Sequence, residues 1–183
     1  MGAVSDRIRR RISAAAASLG IFVAALPVLA AEPQHAPHVH GLALMNVAVD
    51  GTVVEIELEM PGADIVGFER APSTAAEKAA VAAATGKLRA GQTLFRFPEA
   101  AKCRMEHAEA EAPEDPEDAD RGQVHTEFEA QYRFSCAVPD ALSWIETGLF
   151  KAFPALREIE VQALSPRGQT AAELTPDKPR LEL

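Results

Sequence analysis

The stretch LALMNVAVDGTVVEIELEM, residues 42–60, constrains the fold more than any other part of the chain. Two alternating runs meet at Asp50-Gly51, a dipeptide that tolerates the positive φ angles of a two-residue hairpin turn. Leu42, Leu44, Asn46 and Ala48 alternate with Ala43, Met45, Val47 and Val49; after the turn, Val54, Ile56 and Leu58 oppose Glu55, Glu57 and Glu59. Successive strand side chains point to opposite faces, so the pattern predicts a half-buried antiparallel hairpin. Glu57 and Glu59 are candidate metal ligands, but three glutamates on one strand face read first as a solvated surface.

Other segments extend this plan. Pro61-Gly62 and Gly67 break the strand pattern, and Thr74 and Glu77 form a T-x-x-E capping box ahead of an alanine-dense run. This predicts a helix from Ala75 to about Thr85, ending near Gly86. VHTEFEAQYRFSC alternates again and predicts a strand. Farther on come a short helical turn or strand around Leu142 to Phe150 and two strands, near Ile159 to Leu164 and Gln169 to Leu174, separated by Ser165-Pro166-Arg167-Gly168. The sum is an α+β fold: a mainly antiparallel sheet with one alanine-rich helix and a disulfide-closed acidic loop.

The amino end sets the compartment. Arg7, Arg9, Arg10 and Arg11 precede an apolar run from Ile12 to Leu26 and the small-residue ending Pro27-Val28-Leu29-Ala30-Ala31. This is the layout of a secretory signal peptide over residues 1–30, with cleavage after Ala30. The run is shorter than the ~20 apolar residues of a membrane-spanning helix. Export to the periplasm as a single domain over 31–183, with no membrane insertion after cleavage, is the expectation. Cleavage lowers Lys+Arg from 18 to 14 and Asp+Glu from 27 to 26, a net charge of −12. That sign argues against nucleic acid and anionic lipid as partners and is compatible with attracting cations.

Two cysteines, Cys103 and Cys136, remain. In an oxidising compartment an even pair reads as a disulfide; a thiolate metal site or redox pair is the weaker alternative because no C-x-x-C is present. Between Glu106 and Asp120 lie eight acidic residues, two prolines and no basic residue, which predicts a mobile acidic loop over 106–123. The stretch lacks the Asp-x-Asp-x-Asp-Gly arrangement of a calcium loop.

Three of the five histidines, His35, His38 and His40, fall within six residues. His38 and His40 are two apart, so in an extended segment both imidazoles would face one ion. An H-x-H is half of the ligand set that zinc requires. No G-x-S-x-G, H-E-x-x-H or phosphate-cradling glycine loop is present, and no carboxylate stands out as a general acid or base. The expectation is that the protein is not an enzyme.

The succession H-x-H-G, the D-G hairpin, IVGFERAPST, the alanine-rich helix, LFRFPEAAKCRME, the acidic loop, HTEFEAQYRFSC, LFKAFP and SPRGQTAAELTPDKPRLEL resembles the ZrgA family of bacterial periplasmic zinc-binding proteins from about His38 to Leu183. The resemblance implies a periplasmic location, expression tied to zinc starvation and a supporting role beside a high-affinity zinc uptake system. It maps onto His38 and His40, the Cys103–Cys136 bridge and His125. Family members often carry a histidine-rich loop between the cysteines, whereas this chain has Glu and Asp there, with only His107 and His125. Loose carboxylates hold zinc less well than imidazoles. The site expected is therefore small: His38, His40 and His125, completed by His35, Glu127 or His107.

The functional expectation is a zinc-binding accessory protein, a buffer or shuttle, whose affinity falls as imidazoles protonate below about pH 6. Its partners would be a divalent metal ion and a zinc uptake transporter or its binding protein. The alternative is a metal-independent interaction domain that docks through its sheet face or acidic loop onto an envelope partner. A hydrolase using the same zinc would need an open coordination position that no motif announces.

Overall fold

The computed structural model describes residues 39–112 and 127–183. The expected leader, His35, His38, His125 and most of the acidic stretch lie outside them. Among the described residues no helix is long and apolar enough to cross a membrane.

The expected hairpin forms as β1 (Leu42–Asp50) and β2 (Val53–Pro61), paired antiparallel from Leu44↔Glu59 to Asp50↔Val53. Gly51 takes φ +55°, the left-handed conformation that the turn demands. After β2 come α1 (Gly62–Val66), α2 (Ala75–Arg89), α3 (Gly91–Leu94), β3 (Phe95–Arg96) and β4 (Cys103–Glu111). The chain then runs through β5 (Glu127–Cys136), β6 (Trp144–Thr147), α4 (Leu149–Ala152), β7 (Glu158–Ser165), β8 (Gly168–Leu174) and β9 (Arg180–Glu182).

These strands form a six-stranded sheet in the order β4-β5-β2-β1-β7-β8 and a three-stranded sheet in the order β3-β6-β9. Every named pairing is antiparallel except β1 with β7, so the class is the α+β, mainly antiparallel one that the alternation predicts. The large sheet buries one face, including Met45, Ile56, Phe134 and Ile159, in a single core with Leu88, Leu94, Ile145, Leu149, Leu156 and Leu181. Its other face carries the alternate side chains into solvent.

Helix α2 begins as expected, with both halves of the Thr74/Glu77 capping box in place. It runs past Gly86 to Arg89, farther than the glycine suggests. Leu88 is fully buried, and that burial, worth roughly 1.5–3 kcal/mol, outweighs the ~1 kcal/mol helix penalty of glycine.

A second correction concerns the acidic stretch. Residues 106–111 belong to β4 rather than to a loop, paired with β5 through His107↔Arg133 and Glu111↔Glu129. The Ala-Glu alternation buries Ala110 and half-buries Ala108 while its glutamates stay wet. Arg89 donates to the Ala110 carbonyl at 3.0 Å, satisfying an acceptor on this edge strand.

Cys103 and Cys136 face each other across β4 and β5 and form the expected disulfide. Nearby, Gly91 opens α3 directly against Tyr132: a Cβ there would lie 2.5 Å from the ring's Cδ1. The Tyr132 hydroxyl is buried without a hydrogen-bond partner among the described residues, and burial pushes its pKa up. Such a group pays its desolvation cost uncompensated. Tyr132→Phe is therefore expected to raise stability by about 1 kcal/mol in urea denaturation. A loss of similar size would show that the hydroxyl has a partner, such as a buried water.

Candidate metal-handling end of the sheet

His40 sits in a tight turn, with Leu42 N donating to Val39 O at 3.1 Å and Gly41 at φ +87°. The extended geometry expected for the H-x-H pair therefore does not hold at its second member. Gly41 is fixed from three sides. Its N–H donates to Oδ2 of Asp64 at 2.7 Å, and its carbonyl accepts from Arg157 N at 2.8 Å and Glu158 N at 2.9 Å. A side chain at position 41 would meet Arg157 Cγ at 3.0 Å on top of the strained φ, so glycine is required.

Asp64 is only 7% exposed and stands in the first turn of α1, the short helix that turns the chain away from the end of β2. From there the chain returns to His40: Nε2 lies 2.9 Å from Oε1 of Glu69. An ionised carboxylate only accepts, so Nε2 is the donor in this contact; in the neutral ring the lone pair that a metal needs is then on Nδ1. The ring remains 68% exposed.

Glu69 opens the E-R-A-P-S-T run, and the rest of that run is anchored to α2. Arg70 Nη1 donates to Glu77 Oε2 at 3.1 Å while Nη2 contacts Oε1; Ser73 N and Thr74 N donate to Oε2 at 2.8 and 3.0 Å. The Arg70 guanidinium, and after it these two N–H groups, hold the Glu77 carboxyl well below the usual carboxylate range. The segment carrying Glu69 is thereby tied to the amino end of α2, the longest of the described helices.

The register sets the other candidates relative to His40. Pro61 of β2 pairs with Glu127 of β5, and Leu44 of β1 with Glu59 of β2, so the start of β1 and the start of β5 lie at one end of the sheet with β2 between them. Strands two apart are separated by about 10 Å. His125 is two residues from Glu127, at most about 7 Å of chain. Glu127 stands at this end, half-buried.

His107 does not. It lies mid-strand in β4 on the exposed side, 3.6 Å from Glu109 and opposite Arg133. Glu111, four positions farther along β4, is level with Glu129, so His107 sits about 14 Å short of even that row and at the far edge of the sheet from β1. Glu57 and Glu59 are on the open face as expected for a solvated strand. Among the described residues no three His, Cys, Asp or Glu side chains group closely enough to hold a metal ion.

Sequence reasoning missed Glu69 and Asp64. Glu69 is 29 residues from His40; it falls within the IVGFERAPST motif, but nothing there pairs it with a histidine. The available signal for Asp64 was an acid inside an otherwise apolar G-A-D-I-V.

None of the curated proteins matches the chain. The family model described as "ZrgA family zinc uptake protein" matches residues 37–183, which begins beside the histidine turn and takes in both sheets, the capping box and the disulfide. The chain belongs to the ZrgA family of zinc uptake proteins.

Proposed function

We propose that the protein is a non-catalytic periplasmic zinc-binding accessory protein that buffers or shuttles zinc for an uptake system. The observation that carries this reading is the His40–Glu69 pair at 2.9 Å. A carboxylate on one imidazole nitrogen fixes the tautomer and raises the basicity of the other, the support that zinc-ligating histidines commonly have. His40 supplies Nδ1 to the ion, His38 joins it from two residues upstream, and His125 comes from the chain that leads into β5. Glu127 is a further donor at the same end, and His35, outside the described residues, is the remaining candidate from the sequence. His107 is too far along β4 to complete this set. An imidazole-based site on an exposed turn suits reversible handling, since the cargo leaves without opening the core.

Calorimetric zinc titration of the processed protein tests the reading. His38→Ala/His40→Ala is expected to abolish measurable high-affinity binding, and Glu69→Gln to weaken it by about 10-fold with unchanged stoichiometry. Unaltered affinity in the double histidine variant removes these ligands. Absence of binding in the parent protein as well would favour the metal-independent interaction domain.

A further inference from the structure

Apart from Glu127 at one end, the open face of the six-stranded sheet has no role in the zinc reading, yet its composition is specific. One row crosses all six strands as Glu111, Glu129, Glu59, Leu44, Glu160 and Glu173. Like charges directly opposite each other on a sheet destabilise it. Strands β1, β2, β7 and β8 contain no lysine or arginine, and the cations of the other two strands, Arg104 and Arg133, pair with Glu106 and Glu55 rather than with this row.

Beside this row, the part of the face on β1, β7 and β8 is an uncharged strip flanked by Glu55 and Glu57 of β2. Asn46 pairs with Gln162 and Ala48 with Leu164, and Ala171 lies next to Gln162. Leu164 is 62% exposed and Leu44 44%, the two large apolar side chains that the sheet turns outward. Two adjoining hollows cross this strip, lined by Leu44, Asn46, Gln162 and Leu164 among others and bordered by Glu57, Glu59, Glu160 and Glu173. Six strands of this length present roughly 800 Å², about what one partner contributes to a standard protein–protein interface.

From this composition we infer that the open face docks a cationic protein segment in which lysine or arginine side chains flank a short apolar stretch. The glutamate row supplies charge complementarity, and the exposed leucines with the small and amide residues between them supply the desolvated centre. A bare metal ion has no use for the leucines. A second copy of the chain laid face to face would set glutamate rows against each other.

The test uses the intact processed protein in chelator, so that its outcome is independent of zinc. Fluorescence anisotropy in about 0.15 M salt compares a labelled dodecapeptide alternating lysine and leucine with one alternating lysine and serine. The lysine–leucine peptide is expected to bind about 10-fold more tightly. Glu59→Gln/Glu129→Gln/Glu160→Gln/Glu173→Gln should lose about 10-fold in affinity, whereas Glu99→Gln/Asp140→Asn/Asp177→Asn/Glu182→Gln, which removes equal charge elsewhere, should lose less than about 2-fold. Leu164→Ser should bring the lysine–leucine peptide to the level of the lysine–serine one. The face variant relieves repulsion, so its Tm should not fall, and lost binding cannot be assigned to unfolding. Equal losses in the two charge variants, or equal affinity for the two peptides, overturns the proposal. So does a dimer in sedimentation that the face variant dissolves, which would make a second copy the occupant.

Discussion

Phe134→Ala is expected to cost about 3–5 kcal/mol, the range for emptying an aromatic site in a packed core. Phe134 is 2% exposed and sits in β5 on the buried side of the large sheet. Its ring meets Phe97 edge-on at 4.8 Å between centroids and Phe95 at 6.1 Å, and Phe95 in turn meets Tyr132 at 4.9 Å. Phe95 belongs to β3, so these rings are where the small sheet grips the large one. Edge-on aromatic pairs add about 0.5–1.5 kcal/mol beyond area burial, which places this site at the costly end for a single truncation. Urea denaturation measures the loss directly, and a fall in Tm of roughly 2–4 °C per kcal/mol accompanies it for a domain of this size. A loss below about 1.5 kcal/mol would show that the neighbours collapse into the space or that the two sheets are held together elsewhere.

The second large effect is covalent. Cys103→Ala/Cys136→Ala is expected to lose roughly 3–4 kcal/mol, because the bond spans a separation of 33 residues and its main action is to restrict the unfolded chain. The cysteines already face each other in the β4–β5 ladder, so the folded structure needs little adjustment when the bond is absent. The variant should therefore keep the parent's circular dichroism while its denaturant m-value rises, since a chain without the cross-link exposes more surface on unfolding. A stability loss with an unchanged m-value would move the effect into the native state. Phe134 is two residues from Cys136 on the same strand, so the two changes are expected to be non-additive.

Features read from local pattern carried over into three dimensions. The Asp50-Gly51 hairpin, the Thr74/Glu77 cap, the turn between β7 and β8 and the strand ending at Cys136 each depend on residues close together in the chain. The parallel pairing of β1 with β7 was not legible, because Leu42 and Glu158 meet only after the intervening chain has folded. The far half of β4 was misread because alternating alanine and glutamate resembles a solvated tract until β5 lies beside it and gives the alanines a face to cover. The site divides in the same way. His40 announced itself within a cluster of histidines; Glu69 and Asp64 became its neighbours only through α1, which reverses the chain at the end of β2.

Strand β1 lies in the interior of its sheet, laddered to β2 on one side and β7 on the other, and the histidine turn leads into it with no intervening linker. Backbone groups laddered on both sides exchange with solvent chiefly through the rarest, largest openings of a domain. A donor at the head of such a strand has a stationary mount, so on the zinc-binding reading proposed above the amide-exchange protection of β1 is expected to be the same with and without zinc.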